Sequence, residues 1–136
     1  MKYTTKVYKQ SRMLEIMIID DPDLTLLFNG MVQEYGEEGF CEFYKAAKLI
    51  MDGEIDSYSL FLGSYGVNIS EFKAVLWLDS IDGDKCAREI SISTLCDLLE
   101  IYRREWLKNF EEDPTIRTYG YTPFIEGIVT DDDYLY

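Results

Sequence analysis

The chain contains no histidine. This removes the side chain that most often serves as a general base near neutral pH. It also removes the Ser-His and Cys-His nucleophile pairs and the commonest metal ligand. Cysteine is scarce and odd in number: Cys41, Cys86 and Cys96, with no C-x-x-C spacing. Such a set points to neither a disulfide framework nor a zinc site. Each thiol reads as a small buried hydrophobe in a reducing compartment. Long apolar runs are missing as well. The most apolar stretch, Met13–Ile19, is broken by Glu15 and followed by Asp20-Asp21-Pro22. It fits neither a secretory signal nor a span of ~20 apolar residues, so a cytoplasmic location is expected.

Positive charge is in short supply: 13 Lys and Arg stand against 26 Asp and Glu, a net charge of −13. Four of those bases, Lys2, Lys6, Lys9 and Arg12, precede the first acid, so the chain beyond Arg12 carries 13 − 4 = 9 bases against 26 acids. An acidic body repels nucleic acid and anionic membranes, because phosphate binding depends on Lys and Arg. It attracts basic proteins and speeds their association. A solubilising surface explains any single acid equally well.

What is present is enough for a core. With 136 residues, 47% of them hydrophobic, the chain fits one domain over 1–136 without metal or disulfide. Residues 1–10 form a basic arm that reads as a strand or a loose terminus. Met13–Ile19 suits strand or helix. Asp21 as cap and Pro22 at the first helical position then start a helix with the stripe Leu24, Leu27, Phe28, Met31, Val32 and Tyr35, stopped by Gly36. A second helix over Glu38–Asp52 has the stripe Phe40, Phe43, Tyr44, Ala47, Ile50 and Met51, which together suggest an αα-hairpin. Residues 53–70 read as an irregular loop with a short strand at Ser59–Leu62.

Phe72–Ser80 and Lys85–Ser93 flank Asp82-Gly83, a hairpin signature. A two-residue loop there pairs Trp77 with Arg88 and Val75 with Ile90, with apolar residues on both faces. Trp77 then belongs to the core or stacks on Arg88. A loop of another length reverses these pairs. Thr94 and Asp97 open a helix over Leu95–Phe110, with a Glu100–Arg104 pair, and Glu111-Glu112-Asp113-Pro114 stops it. In the tail, Tyr119, Tyr121, Phe124, Ile125 and Ile128 suggest partial packing, and 129–136 reads as a mobile acidic tip. The fold class is α+β: an αα-hairpin, a small antiparallel sheet and a C-terminal helix.

No catalytic or cofactor motif emerges. Asp79-Ser80-Ile81-Asp82-Gly83-Asp84 fails the spacing of a calcium loop, since Ile81 falls where an oxygen ligand is needed. Gly63-Ser64-Tyr65-Gly66 matches no phosphate-binding or nucleophile-elbow pattern and reads as a tight turn. Neither metal nor cofactor is expected, and the chain reads as a binding protein rather than an enzyme. Its 11 tyrosines favour a protein interface, because aromatic rings bring large contact area at low entropy cost. The candidate partner surface is Glu54, Asp56, Tyr58, Tyr65, Asp79, Asp82 and Asp84.

The order of these elements resembles the immunity proteins of bacterial contact-dependent growth inhibition, particularly those paired with ribonuclease toxins. The resemblance runs from Leu24 to Ile116. It rests on Leu24-Thr25-Leu26-Leu27-Phe28-Asn29-Gly30-Met31, on Phe40 with Phe43-Tyr44-Lys45-Ala46-Ala47, and on Gly63-Ser64-Tyr65-Gly66. It continues through Phe72–Asp79 and Glu89–Ser93 to Tyr102 and Glu112-Asp113-Pro114. The hairpin connection looks longer than in that family, and the arm and tail are additions. The resemblance implies a cytoplasmic antidote that binds the basic C-terminal nuclease domain of a large toxin and blocks its active site, with no catalytic residue; the excess of acids argues against nucleic acid or membrane as partner. Two other readings fit the composition: an acidic nucleic-acid mimic or adaptor of another system, and a carboxylate-based hydrolase.

Overall fold

In a computed structural model of the chain, residues 1–83 and 85–115 are described. Asp84 and the tail beyond Thr115 lie outside them, and with them the expected packing of the tail and its tip. The alternation of Tyr3, Thr5 and Val7 produces a strand, β1 (Tyr3–Tyr8), whose half-buried residues alternate with exposed ones. It pairs antiparallel with β2 (Met13–Ile18), which buries Leu14, Ile16 and Ile18. The basic arm is therefore a paired strand. Its turn clamps the end of the last helix: Lys9 Nζ donates to the Asn109 carbonyl, and Arg12 lies over Trp106 and Phe110 and binds Glu112. Two cations thus sit where that helix's dipole is negative.

Helix α1 (Pro22–Met51) opens as its sequence dictates, with the Asp21 side chain accepting from the Leu24 N–H and Pro22 in the first turn. All six residues of the first stripe, Leu24 to Tyr35, are buried. Gly36 breaks the helix, at φ 68° and ψ −172°, a conformation a side chain would strain. The two expected helices thus meet at a single residue instead of a Glu-rich turn. In the second half Phe40, Phe43, Ala47 and Ile50 are buried, whereas Met51 is exposed.

The segment read as an irregular loop is two strands, β3 (Ser57–Leu62) and β4 (Tyr65–Ser70), joined by the two residues Gly63-Ser64. Gly63 takes the positive φ, 63°, that so tight a turn needs. Strands β5 (Lys73–Asp79) and β6 (Lys85–Ser91) complete a meander ordered β3-β4-β5-β6. The β5–β6 connection runs from Ser80 to residue 84, longer than the two residues expected of Asp82-Gly83. The register is shifted accordingly: Trp77 pairs with Ala87, Leu76 with Arg88, and Ala74 with Ile90. That one-residue slip turns Ala74, Leu76 and Ile90 into the core and sends Trp77 and Val75 to the opposite face, so among the described residues the hairpin is covered on one side only.

Helix α2 (Ile92–Phe110) begins three residues before the expected start. Ser91, not Thr94, is the cap, its hydroxyl accepting from the Thr94 N–H at 3.0 Å. Its stripe Leu95, Leu98, Leu99, Tyr102 and Trp106 is buried against α1, where Phe40 lies 4.6 Å from Tyr102 between ring centroids. Glu100 turns from Arg104 toward Lys48, at 2.9 Å, and the Tyr44 hydroxyl. Arg104 instead donates to Tyr3 Oη.

Arg103 closes α2 onto the chain that follows, holding Asp113 at 2.8 Å. Asp113 also accepts from the Thr115 N–H at 2.9 Å and from its hydroxyl. These donors, the Arg103 guanidinium foremost, hold the Asp113 carboxyl down at about 2. A depressed folded value means stability present above the unfolded value near 4 and lost as pH falls through about 2. Asp113→Asn should therefore flatten the decline in unfolding free energy between about pH 4 and about pH 2. Urea melts at several pH values, giving the same slope for both proteins, would contradict this.

Candidate partner-binding surface

The sheet separates the expected site residues into two groups. Glu54 and Asp56 are exposed where the chain enters β3; Tyr65, Asp79 and Asp82 lie at the other end of the meander. The six residues of β3 put ~17 Å between the ends, at ~3.3 Å per residue. Tyr58 does not belong to any surface. It is 5% exposed, its ring 6.4 Å from that of Phe43, because its position in β3 faces the core alongside Ile69. Asp84 lies outside the described residues.

At the Tyr65 end the structure assembles a larger acidic groove between α1 and the sheet. One depression, of about 780 Å³, is lined by Asp23, Leu26, Glu34, Tyr65, Leu78, Asp82 and Lys85, among others. A second, of about 480 Å³, adjoins it through Leu26 and Tyr65 and adds Glu15, Asp20, Asp21, Asn29, Gly30 and Gln33. Among the described residues, six acids and one base thus surround a floor that holds Leu26, itself 49% exposed. Asp21 is already engaged. Its carboxylate caps α1 and binds Arg88 at 2.8 Å, and the Arg88 hydrogen bond holds it below the usual carboxylate range. Asp23, Glu34 and Asp82 are exposed. Low-dielectric walls lined with one sign of charge focus the field and draw in the opposite charge.

Tyr65 is built into this groove. A Cβ on Gly30 would fall 2.2 Å from the Tyr65 ring, so the ring lies directly on the α1 backbone at a helical position without a side chain. The glycine that weakens the helix by about 1 kcal/mol relative to alanine makes room for the ring. Gly30→Ala should push the tip of Tyr65 off the helix and leave the fold at least as stable. Partner affinity should drop about tenfold while the melting temperature holds or rises. A lowered melting temperature, or unchanged affinity, would contradict this role.

Sequence reading reached Tyr65 and Asp82 through turn chemistry and charge, and missed Leu26, Asp23 and Glu34. One signal was available. Leu26 sits off the Leu24–Leu27–Phe28–Met31 stripe, so a helix buried on that stripe must expose it. Glu42, by contrast, is a buried acid, 1% exposed, outside the groove. Among the described residues no group of three or more Cys, Asp or Glu is placed to share a metal ion. No helix among them is long and apolar enough to cross a membrane. Set against known family models, curated proteins and solved structures, the chain matches none of them.

Proposed function

We propose that this protein is a bacterial immunity protein of the contact-dependent growth inhibition type, a non-catalytic antidote that binds and neutralises a basic toxin nuclease domain, a ribonuclease in particular. The observation that carries this reading is the groove of Asp23, Glu34 and Asp82 around Leu26 and Tyr65. A nuclease must present Lys and Arg to hold phosphate, and carboxylates spaced along a groove can occupy those same side chains. The apolar floor supplies contact area that a merely solubilising surface lacks. The antidote acts in the cytoplasm, where such a toxin meets its substrate.

The test is coexpression with the C-terminal domain of the protein encoded immediately upstream. The expected result is a stable complex and loss of that domain's RNA-cleaving activity. An active nuclease that ignores the chain would refute the reading, as would catalytic turnover by the chain alone.

A further inference from the structure

The four-stranded sheet has a second face, turned away from the helices; it borders the acidic groove only at its β6 edge, where Lys85 and Ala87 line both. Strand alternation places Ser59, Phe61, Gly66, Asn68, Val75, Trp77 and Ala87 on it, neighbours across the register of four strands. None is charged. Phe61 and Trp77 stack there, 5.0 Å between centroids and 18° from parallel, with Phe61 58% exposed. The pair leans over Gly66, where a Cβ would fall 2.2 Å from the indole. The indole N–H donates to Asn68 Oδ1 at 2.7 Å, and the Asn68 amide donates to Ser59 Oγ at 2.9 Å. The aromatic pair is therefore held in place with its polar atom already satisfied. It can bury against another surface with little ordering cost and no orphaned donor.

Charge selects the occupant. The chain as a whole is at −13, yet this face carries one base and one acid at each end, Lys73 with Glu89 and Asp79 with Lys85. Its net charge is 2 − 2 = 0 over those residues. A basic partner gains nothing there and is drawn to the groove instead. A second copy of this strongly acidic chain is repelled by the groove and can approach at a neutral face, where each end offers both signs to its mate. We propose that the outer face of the β3–β6 sheet is where two copies of this chain meet, packing sheet on sheet around Phe61 and Trp77. The proposal stands apart from the immunity reading.

Its strength follows from its size. Four strands ~4.8 Å apart and six residues of ~3.3 Å give roughly 400 Å² of footprint, about half of what each partner contributes to a standard interface. The dimer is therefore weak, with a dissociation constant of about 10–100 μM. Salt should act in the direction opposite to its effect on an acidic-to-basic contact. Two like-charged bodies repel, so raising NaCl from about 50 to about 500 mM should tighten the dimer several-fold.

Sedimentation equilibrium on the full chain tests this. The expected result is a monomer–dimer equilibrium in that range, tightened by salt. Ser59→Lys and Phe61→Lys should each weaken it at least tenfold; both positions are exposed on β3 and lie outside the groove, so their replacement leaves the fold and the groove intact, which circular dichroism checks for the fold. A chain that stays monomeric to about 1 mM overturns the proposal, as does a dimer indifferent to both substitutions. It also fails if these variants instead disrupt a complex with the basic nuclease while the unaltered chain remains a monomer.

Discussion

Asn29→Leu should cost about 3 kcal/mol of unfolding free energy, read as a lower urea midpoint at unchanged slope. The free edge of β2 faces α1, and α1 closes it with two polar side chains one turn apart. Thr25 Oγ1 accepts from the Ile18 N–H at 2.9 Å. Asn29 Oδ1 accepts from the Ile16 N–H at 2.8 Å, and its amide donates to the Ile16 carbonyl at 2.8 Å and to the Thr25 carbonyl at 2.7 Å. Ile16 is fully buried and Asn29 is 5% exposed, so water does not replace a lost partner. Leucine keeps the volume and orphans two backbone groups of Ile16, each costing about 1–3 kcal/mol. Asn29→Asp should do no better. It keeps the acceptor for the Ile16 N–H but loses both donors and buries a carboxylate. A loss under about 1 kcal/mol for either variant would mean that the β1–β2 hairpin is not held by this bridge.

Glu34→Lys combined with Asp82→Lys should slow association with the nuclease by at least tenfold, and the residual rate should fall less steeply with salt. Both carboxylates are exposed in the groove beside Tyr65, and neither supports the core. Their reversal changes the local charge by four units at little cost to the fold. Steering acts on encounter, so the on-rate carries most of the effect. The same pair of changes at Glu54 and Asp56, at the far end of β3, should alter the rate far less. Stopped-flow rates equal for the two double variants would mean that the groove has no special place in recognition.

The helices were legible because their signals are redundant. In α1 the cap, the period and the Gly36 break agree; in α2 the period and the stop hold while the cap moves from Thr94 to Ser91, and the residues of the Leu24–Tyr35 and Leu95–Trp106 stripes are buried as spaced. The meander was harder to read. Gly63-Ser64 forms the two-residue turn, while Asp82-Gly83, the stronger turn signal, sits inside a longer connection and moves the register by one residue. A Gly turn fixes that the chain reverses, but the length of the loop decides which face each side chain takes. For that reason Tyr58 belongs to the core and Trp77 to the outer face. The groove could not be read at all from one segment. Asp23 and Glu34 lie on α1 and Asp82 in the β5–β6 connection, and only the packing of α1 on the sheet brings them together at Tyr65. Gly30 shows the same limit. Its cost to the helix is visible in the sequence, while the ring that requires it comes from a strand 35 residues further on.

The most direct measurement is a titration of the purified chain into the RNA-cleavage reaction of the upstream-encoded nuclease domain. Activity should fall linearly to zero at one equivalent, with the chain alone leaving the RNA intact. Cleavage that persists past several equivalents, or RNA degraded by the chain itself, would contradict an acidic antidote acting by occupation.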